Sequence, residues 1–566
     1  MFSYFSKYKK ECVLAPLLKL AEALLELFIP VLVADIIDRG VNGGNQSVII
    51  FDVLVMVGLG IAGLGFSLLG QFFSARAAVG YSSDLRSALY KKLLSLELSQ
   101  TDKLGKAKMM TTMTSDISKV QSGVNLALRL LLRSPFVVVG ALVASFIINV
   151  KIALIFLAVI VTLGLVVAII MIITTSKYAT AQKMLDEVSL TANENLTGAK
   201  VIRAFNASKT EIEKYQKQID SFEKFQNFIG TISAILNPLT FCIVNLGIVA
   251  LLYFGGVKVE LGILTQGAII ALYDYMSQIL VELVKFANLV VSTSKAIASG
   301  KRIGEVLKIE NAQIQIDGDG ENLSFIEFKD VSSTYGGGEV LSSINLKIEK
   351  GQTVGIIGGT GSGKSTLVNL ISGLYKASKG CVYINGKDID GICDNEREKL
   401  VAIALQKPTL FKGTIKSNLL LGKKDTTEEE LLNAISIAQA KDVLAVKEDG
   451  LNSVVEQGGR NFSGGQRQRI SLARAIVRKP KILILDDSSS ALDYVTDLNL
   501  RRSLKNQGGD QTLIIVSQRT ASVKDADKII VLEDGEIVGE GTHDNLCQTC
   551  EVYREINDSQ KMGEEV

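Results

Sequence analysis

The chain has 566 residues, with 61 Lys and Arg against 59 Asp and Glu, and a formal net charge of +2. Two or more domains are expected, because a single hydrophobic core stops growing at about 250–300 residues. The mean hydropathy of +0.29 predicts that much of the chain faces lipid. The balanced charge argues against nucleic-acid binding through phosphate neutralisation. Six cysteines exclude a disulfide scaffold, and the single histidine, His543, excludes multi-histidine metal sites.

The N-terminal half contains uncharged stretches of the length that a membrane-spanning helix needs, about 20 residues. Val53–Ala75 is a run of 23 residues without a charge, and Phe225–Val257 is uncharged over 33. Two intervening loops of about fifty residues carry helical periodicity, so the spanning helices are expected to continue beyond the membrane. We therefore predict an all-α transmembrane domain over residues 1–310, with spans at 12–34, 50–75, 129–149, 152–175, 228–254 and 263–285.

Basic residues indicate the orientation of these spans. The segments 76–126 and 177–227 carry eight Lys or Arg each, whereas three other connectors carry one each. Basic loops stay on the cytoplasmic side of a membrane. The N-terminus, both long loops and the C-terminal half are therefore expected in the cytoplasm, and the protein in the plasma or inner membrane.

A few charged residues fall inside the predicted spans, where exposure to lipid is costly. Glu22 and Glu26 lie four residues apart in the first span, and Lys19 precedes Glu22 by three. Asp274 lies near the middle of the last span, with Glu282 two turns later. Two interpretations stay open: an acidic cavity that favours cationic or amphipathic substrates, or polar contacts between helices. Glu22, Glu26 and Asp274 are the candidate cavity residues.

From residue 322 to 560 the pattern changes to short β-branched runs alternating with helical stretches and glycine turns, which is typical of an α/β domain. Residues 358–366 (GGTGSGKST) fit the phosphate-binding pattern G-x-x-x-x-G-K-[ST], between a predicted strand at Thr353–Ile357 and a predicted helix at 365–374. Backbone N–H groups of such a loop converge on phosphate oxygens. The predicted ATP-binding residues are Gly358, Gly359, Thr360, Gly361, Ser362, Gly363, Lys364, Ser365 and Thr366.

Two residues of this half are expected to bind Mg²⁺. Ser365 follows the phosphate-loop lysine, and Asp486 ends the buried strand Ile482–Asp486. A hydroxyl and a strand-end carboxylate beside a phosphate loop are the usual protein ligands of the ion. A separate pattern, Glu533–Glu536 between two apolar runs, predicts a β-hairpin.

Further motifs resemble those of ABC transporter ATPases. Residues 461–469 (NFSGGQRQR) resemble the signature motif of that family, at the family's distance from Asp486. Gln406 resembles the Q-loop glutamine, which implies contact with ATP and Mg²⁺. Tyr335 resembles the aromatic residue that stacks on adenine. The resemblance assigns Ser463, Gly464, Gly465 and Gln466 to the signature, and Ser490, Ala491, Leu492 and Asp493 to the D-loop.

Six spans followed by one ATPase domain resemble a half-size ABC exporter along the whole chain. The resemblance implies a dimer of half-transporters that holds two ATP molecules between its ATPase domains. Each ATP then contacts the phosphate loop of one chain and the signature of the other. The segment Glu194–Phe205 resembles the second intracellular loop of the family.

Two catalytic positions depart from the family pattern. Asp487 stands where the family has a water-orienting glutamate, and Gln518 stands where it has a switch histidine. Gln518 cannot titrate near neutral pH, and a misplaced carboxylate costs on the order of a hundredfold in rate. The chain therefore resembles the degenerate-site subunit of a bacterial heterodimeric multidrug exporter. Two alternatives stay open: a homodimer, and an Asp487 that still works after a small backbone shift.

The expected function is ATP-driven export, with hydrolysis mainly at the site built on the partner's phosphate loop. A lipid or peptide translocator with the same machinery is one alternative, and a mainly regulatory ATP-binding subunit is another. The spans exclude a soluble ATPase, and the fusion of permease and ATPase disfavours an importer. No motif identifies the substrate, beyond an amphipathic or cationic small molecule or peptide.

Overall fold

The computed structural model describes residues 2–310, 324–335, 338–488, 492–506 and 510–564. The chain divides into two compact units. The first contains Met1–Leu96 and Leu104–Ile309, and the second contains Glu97–Lys103 and Glu310–Val566. A short segment of the N-terminal half therefore belongs to the C-terminal unit.

The first unit is helical, and its long helices are joined by short helical turns. The helices that begin in this half are α1 (Lys9–Asp35), α2 (Gln46–Ser95), α3 (Leu98–Leu104), α4 (Lys106–Thr111), α5 (Ile117–Leu130), α6 (Arg133–Ile148), α7 (Val150–Thr197), α8 (Ala199–Ala204), α9 (Ser208–Glu260) and α10 (Gln266–Leu307).

Several of these helices are much longer than a membrane is thick. The helices α2, α7 and α9 contain 50, 48 and 53 residues. At about 1.5 Å per residue each is roughly 70–80 Å long, against about 30 Å of hydrocarbon. The prediction that spanning helices continue through the long loops is confirmed, because each loop is helical except for short turns around α3 and α8.

Within the described residues, five helical stretches are long and apolar enough to cross a membrane. They are Gln46–Ser95, Lys106–Ile148, Val150–Thr197, Ser208–Glu260 and Gln266–Leu307. These stretches include the last five predicted spans. The first predicted span lies within the continuous helix α1 and contains three charged residues, Lys19, Glu22 and Glu26.

The surface of the helical unit is apolar over the predicted spans. Ile61, Leu64 and Leu68 on α2 are all exposed, and so is Ile147 at the end of α6. Such a surface needs lipid or protein against it. Inside the unit, one core cluster forms around Phe156 and other side chains of α6, α7, α9 and α10. A second cluster joins α2, α5 and the end of α10.

The second unit is an α/β domain. Its strands are β1 (Ile326–Tyr335), β2 (Gly338–Ile348), β3 (Thr353–Gly358), β4 (Lys379–Ile384), β5 (Lys387–Asp388), β6 (Val401–Ala404), β7 (Gly413–Thr414), β8 (Val454–Val455), β9 (Ile482–Asp486), β10 (Thr512–Val516), β11 (Lys528–Glu533) and β12 (Glu536–Gly541). Its helices are α11 (Lys364–Ile371), α12 (Asp394–Leu400), α13 (Ile415–Leu419), α14 (Glu428–Ile437), α15 (Lys441–Ala445), α16 (Gly464–Val477), α17 (Tyr494–Lys505), α18 (Thr520–Val523), α19 (His543–Thr549) and α20 (Glu551–Glu564).

The main sheet has the strand order β12-β11-β3-β10-β9-β6. The pairs from β11 to β6 are parallel, and β12 is antiparallel at the edge. Strands β9 and β10 are buried along their whole length, which explains their continuous apolar sequence. The parallel order brings the carboxyl ends of β3, β10 and β9 to one edge, where ligands of such sheets bind.

A smaller antiparallel sheet, β2-β1-β4-β5, completes the domain. The predicted hairpin is confirmed as β11 and β12, which pair antiparallel. Its turn residues Asp534 and Gly535 both have positive φ, at 46° and 86°. Two successive left-handed residues form the turn that matches the twist of a hairpin, and Asp-Gly is a favoured pair for it.

Candidate functional site

The phosphate loop lies between β3 and α11, as its sequence predicts. Gly363 has a φ of +97°, and a Cβ there would lie 2.6 Å from the Leu341 side chain. At Gly358 a Cβ would lie 2.1 Å from the carbonyl oxygen of Leu532. Only glycine fits at either position. At these two positions the loop therefore packs tightly against β2 and the end of β11.

That cavity has a volume of about 260 Å³. It lies at the sheet edge where β3, β9 and β10 end, and it collects predicted residues from four separate segments of the chain. Its lining includes Thr360, Gly361, Gly363, Lys364, Ser365, Thr366, Gln406, Asp486, Asp487 and Gln518. Val340, Val516 and Ser517 also line it, and no motif in the sequence pointed to them.

The side chain of Lys364 bonds back to the backbone of its own loop. Its Nζ donates hydrogen bonds to the carbonyl oxygens of Gly358, at 2.9 Å, and Gly359, at 2.6 Å. Burial lowers the pKa of Lys364, although Asp487 and Asp486 oppose this shift. The ammonium group is therefore held at the mouth of the loop by neutral acceptors, which a phosphate oxygen can replace.

The residues at the end of β9 fit a magnesium ion. The hydroxyl Oγ of Ser365 and the carboxylate Oδ1 of Asp486 are 3.5 Å apart. Burial raises the pKa of Asp486, and repulsion from Asp487 adds to the shift. Two adjacent carboxylates and a hydroxyl are hard oxygen donors of the kind that Mg²⁺ prefers. The bound ion would neutralise charge on the phosphates, held by Ser365 and Asp486.

Gln406 contacts the altered catalytic residue directly. Its Nε2 donates a 3.1 Å hydrogen bond to Oδ2 of Asp487. Asp487 has a φ of 45°, in the left-handed region, and its backbone N–H donates to the carbonyl oxygen of Val516. The short carboxylate is thus held between β10 and the segment that carries Gln406.

Gln518 follows β10 and lines the same cavity with an exposed side chain. The single histidine of the chain, His543, lies on α19 instead, where its Nδ1 is 2.7 Å from the hydroxyl of Tyr553. Among the described residues, His543 does not line the cavity. Asp487 and Gln518 therefore both line the cavity in front of the phosphate loop, and His543 lies elsewhere.

The signature segment forms the N-terminus of α16. The hydroxyl of Ser463 accepts from the N–H of Gln466, and the side chain of Gln466 accepts from the N–H of Ser463. Ser463 and Gly464 are exposed, and a Cβ at Gly464 would meet nothing within 4 Å. An open helix N-terminus of this kind attracts anions. None of the predicted signature residues, Ser463, Gly464, Gly465 and Gln466, lines the described cavity of its own chain.

Three predicted site residues lie wholly or partly outside the described residues. Tyr335 ends β1, and its side chain lies outside the described residues. Ser490 and Ala491 of the predicted D-loop also lie outside them, whereas Leu492 is buried. Asp493 caps α17, because its Oδ2 accepts from the N–H of Thr496 at 3.1 Å.

The charges of the predicted spans form a buried network in the helical unit. Lys19 pairs with Glu22 at 2.6 Å, and Arg133 pairs with Glu26 at 2.6 Å and with Glu282. Arg133, at the start of α6, thereby joins α1 and α10. The sequence analysis missed Arg133, although two arginines, Arg129 and Arg133, at the edge of an apolar stretch were a visible signal.

These contacts favour the interpretation of helix–helix contacts for Glu22 and Glu26. Asp274 differs from them. It is half-buried on α10, and among the described residues it has no hydrogen bond or ion pair. Of the three candidate cavity residues, Asp274 alone has no polar partner among the described residues.

The second unit includes the segment Glu97–Lys103, which sequence reasoning did not assign to it. Glu97 forms an ion pair with Lys376 at 2.7 Å, and the hydroxyl of Tyr375 donates to Asp102 at 2.5 Å. Both partners follow α11, the helix that begins at the phosphate loop. The segment therefore contacts residues just after the far end of α11, and the near end of the same helix lines the cavity.

Comparisons with known proteins agree with this architecture. Residues 12–283 match the ABC transporter transmembrane region, and residues 341–490 match the ABC transporter ATPase family. The chain is 33% identical to the uncharacterized ABC transporter ATP-binding protein YfiB of Bacillus subtilis, over 99% of this chain and 98% of that one. It is 29% identical to a putative export ATP-binding/permease protein of Rickettsia bellii, over 97% and 96% of the two chains.

Among solved structures, the fold is similar to a bacterial Atm1-family ABC exporter with ATP bound. The TM-score is 0.81, the sequence identity is 20%, and 97% of each chain is covered. The likeness shows a shared fold of helical transmembrane domain and α/β nucleotide-binding domain. With both family regions fused in one polypeptide, the chain belongs to the ABC transporters and has the architecture of a half-size exporter.

Proposed function

We propose that this chain is one half of a heterodimeric ABC exporter, in which it binds ATP at an impaired site and completes the partner's catalytic site. The exporter architecture supports ATP-driven transport. The heterodimer, the impaired site and the cytoplasmic placement of the ATPase domain are our inferences from the residues. We place the exporter in the plasma or inner membrane, because its basic loops are expected on the cytoplasmic side.

The observation that carries the proposal is that Asp487 and Gln518 both line the cavity in front of the phosphate loop. Asp487 is one methylene shorter than glutamate, and Gln406 donates a hydrogen bond to it. A carboxylate so held reaches less far toward an attacking water. Gln518 can bind a phosphate oxygen but cannot carry a proton at neutral pH. Both features favour ATP retention over hydrolysis.

The exposed signature supports the second half of the proposal. Ser463 and Gly464 present an intact helix N-terminus that the chain's own cavity does not use. Phosphate oxygens of an ATP on the partner's phosphate loop suit this N-terminus, because N–H groups and the helix dipole both favour negative charge. The chain therefore lacks full catalytic groups for itself and offers a complete binding surface to another chain.

A homodimer is the alternative assembly. In a homodimer both ATP sites contain Asp487 and Gln518, so neither has the complete set of catalytic groups. A heterodimer with an intact partner resolves this. In such a heterodimer the chain is either an active exporter half or a mainly regulatory ATP-binding subunit. The rate of ATP hydrolysis at its own site distinguishes the two.

For the substrate we propose a cationic or amphipathic small molecule or peptide, with multidrug efflux or lipid translocation as the process. Asp274 supports a cationic substrate, because it is a half-buried carboxylate in a predicted span without an ion-pair partner among the described residues. An acidic side chain at such depth is costly unless it meets a cation or water.

The test is ATP hydrolysis by the complex purified from native membranes through a tag on this chain. Mass spectrometry of the complex identifies the partner half-transporter. Asp487→Asn should change steady-state turnover by less than about twofold, because most hydrolysis occurs at the other site. The corresponding glutamate-to-glutamine change in the partner should nearly stop turnover. If Asp487→Asn alone stops turnover as completely, or if the chain purifies as a homodimer with normal ATPase activity, the proposal is wrong.

A further inference from the structure

The last helix of the chain contacts the loop that carries Gln518. Gln560 on α20 accepts two hydrogen bonds through Oε1, from the backbone N–H of Thr520 at 2.9 Å and from its hydroxyl at 3.0 Å. The Nε2 of Gln560 donates to the carbonyl oxygen of Gln518 at 2.7 Å. The donors and the acceptor fix which end of the amide is oxygen. One side chain therefore holds the backbone at Gln518 and two residues further on.

The rest of the loop has few other anchors. The N–H of Ser517 donates to the carbonyl oxygen of Ile356 on β3, and the N–H of Arg519 donates to the hydroxyl of Ser517. Gln518 and Arg519 are exposed. Among the described residues, the side-chain amide of Gln518 has no hydrogen-bond partner. It is therefore available to a phosphate oxygen, and its direction depends on the backbone that Gln560 holds.

Helix α20 is itself fixed to the domain core. Tyr553 is fully buried, and its hydroxyl contacts His543. Asn557 is also buried. Gln560 lies three residues after Asn557 and seven after Tyr553, so the three side chains share one face of the helix. The buried face gives Gln560 a firm base from which to hold the loop.

We propose that Gln560 is a positioning residue for Gln518, and that α20 thereby sets how strongly this site distinguishes ATP from ADP. The inference rests on the proposed function, in which the site holds ATP with Gln518 facing the γ-phosphate. Gln560 does not contact the cavity. It acts by holding the Gln518 backbone, so its loss should affect the γ-phosphate interaction and leave contacts to the other phosphates unchanged.

The experiment uses the full-length chain in lipid nanodiscs with Mg²⁺. A non-hydrolysable ATP analogue and ADP each compete with a fluorescent nucleotide, which yields the ratio of the two affinities. Gln560→Ala should reduce this ratio by about three- to tenfold, the size expected for one hydrogen bond, through weaker analogue binding. Gln560→Glu keeps both acceptor bonds to Thr520 and loses the donor to Gln518, so its ratio should be intermediate.

Two further variants separate positioning from a general structural effect. Gln518→Ala should reduce the ratio as Gln560→Ala does, and the double variant should be no worse than either single variant, because both act through the same side chain. Gln511→Ala is the matched control: its amide also donates to a backbone carbonyl, that of Pro480 at 2.8 Å, but it does not line the cavity. The control should keep the wild-type ratio.

A wild-type ratio in Gln560→Ala, or additive losses in the double variant, would overturn the inference and leave the proposed function intact. Equal weakening of both nucleotides would also overturn it, since that indicates a general collapse of the site. A wild-type chain that binds neither nucleotide contradicts the proposed function itself, and the inference falls with it.

Discussion

At the scale of single residues, the phosphate loop shows how the chain prepares a cavity for an anion. Lys364 is half-buried at the loop, where it donates to two carbonyl oxygens and to the hydroxyl of Ser362, and Asp487 and Asp486 only partly offset the desolvation of its charge. A phosphate oxygen supplies the missing negative charge. The residue therefore contributes more to nucleotide affinity than an exposed lysine can.

Lys364→Ala should weaken ATP binding at this site by about tenfold or more, because a charge-assisted hydrogen bond is worth about 1.5–3 kcal/mol. Equilibrium binding of labelled ATP to the purified chain measures the effect. Lys350→Ala is the control, since Lys350 is an exposed lysine of the same unit that pairs with Asp510. Unchanged ATP occupancy in Lys364→Ala would contradict the assignment of the loop.

Asp486 should destabilise the nucleotide-free fold at neutral pH. Burial, with repulsion from Asp487, raises its pKa above the ordinary value. A pKa raised in the folded state means that ionisation opposes folding, and that this effect disappears as the pH falls below the unfolded-state value. Asp486→Asn should therefore raise the unfolding temperature by a few degrees at pH 7, and by less in acid, while it abolishes magnesium-dependent nucleotide binding.

Thermal unfolding of the nucleotide-free chain across a pH series measures this prediction. Glu430→Gln is the control with the opposite sign, because the hydrogen bond from Lys479 lowers the pKa of Glu430. That variant should gain no stability at neutral pH. An Asp486→Asn variant less stable than wild type at pH 7 would show that its contact with Ser365 outweighs the burial of charge.

At the scale of helices and strands, Arg133 is the residue on which the packing of the spans most depends. It joins α6 to Glu26 on α1 and to Glu282 on α10, and its side chain is largely buried. Its removal takes the more buried of two cationic partners from the carboxylate of Glu282, which is only 3% exposed and keeps Ser134 and Lys285 as partners. Removal of one partner of a buried ion pair is far more costly than the loss of a surface pair.

Arg133→Ala should therefore destabilise the helical unit by about 3–5 kcal/mol. Lys285→Ala provides the control: Lys285 also pairs with Glu282, but it is exposed, so its loss should cost less than about 1 kcal/mol. Thermal unfolding in detergent measures both. Equal losses of stability in the two variants would mean that Arg133 is not the central residue of the network.

The sequence predicted elements well where the signal was local. The phosphate loop, the strand ending in Asp486 and the Asp534–Gly535 hairpin are short patterns with their own backbone requirements, and each is found where expected. The signature also had a local signal, because Ser463 followed three residues later by Gln466 is the pattern of a helix start.

The remaining contacts join residues far apart in the chain, which no local pattern specifies. The bond from Gln406 to Asp487 spans 81 residues, and that from Arg133 to Glu282 spans 149. Glu22 and Glu26 could be placed on one helix face from their spacing, but the close partner of Glu26, Arg133, lies on another helix. The periodicity of α1 therefore could not decide whether its acidic residues line a substrate cavity or contact another helix, because that depended on Arg133.

At the scale of the whole molecule, the exposed signature predicts dependence on a second chain. Ser463→Arg places a bulky charge at the open N-terminus of α16, against the nucleotide of the partner. ATPase activity of the purified complex should fall by at least about tenfold, whereas ATP binding at this chain's own phosphate loop should stay unchanged. Normal turnover in this variant would refute the shared-site arrangement. Ser221→Arg is the control, because Ser221 is exposed on α9 and belongs to neither the signature nor the described cavity.

The segment Glu97–Lys103 packs within the C-terminal compact unit, so that unit is built from two stretches of the chain. A fragment that begins at residue 310 would lose the ion pair of Glu97 with Lys376, the hydrogen bond of Asp102 with Tyr375, and the bond from Gln100 to the carbonyl oxygen of Glu310. Excised ATPase fragments should therefore be less stable than the same domain in the intact chain. Nucleotide affinities measured on such fragments would describe a domain that lacks one of its own pieces.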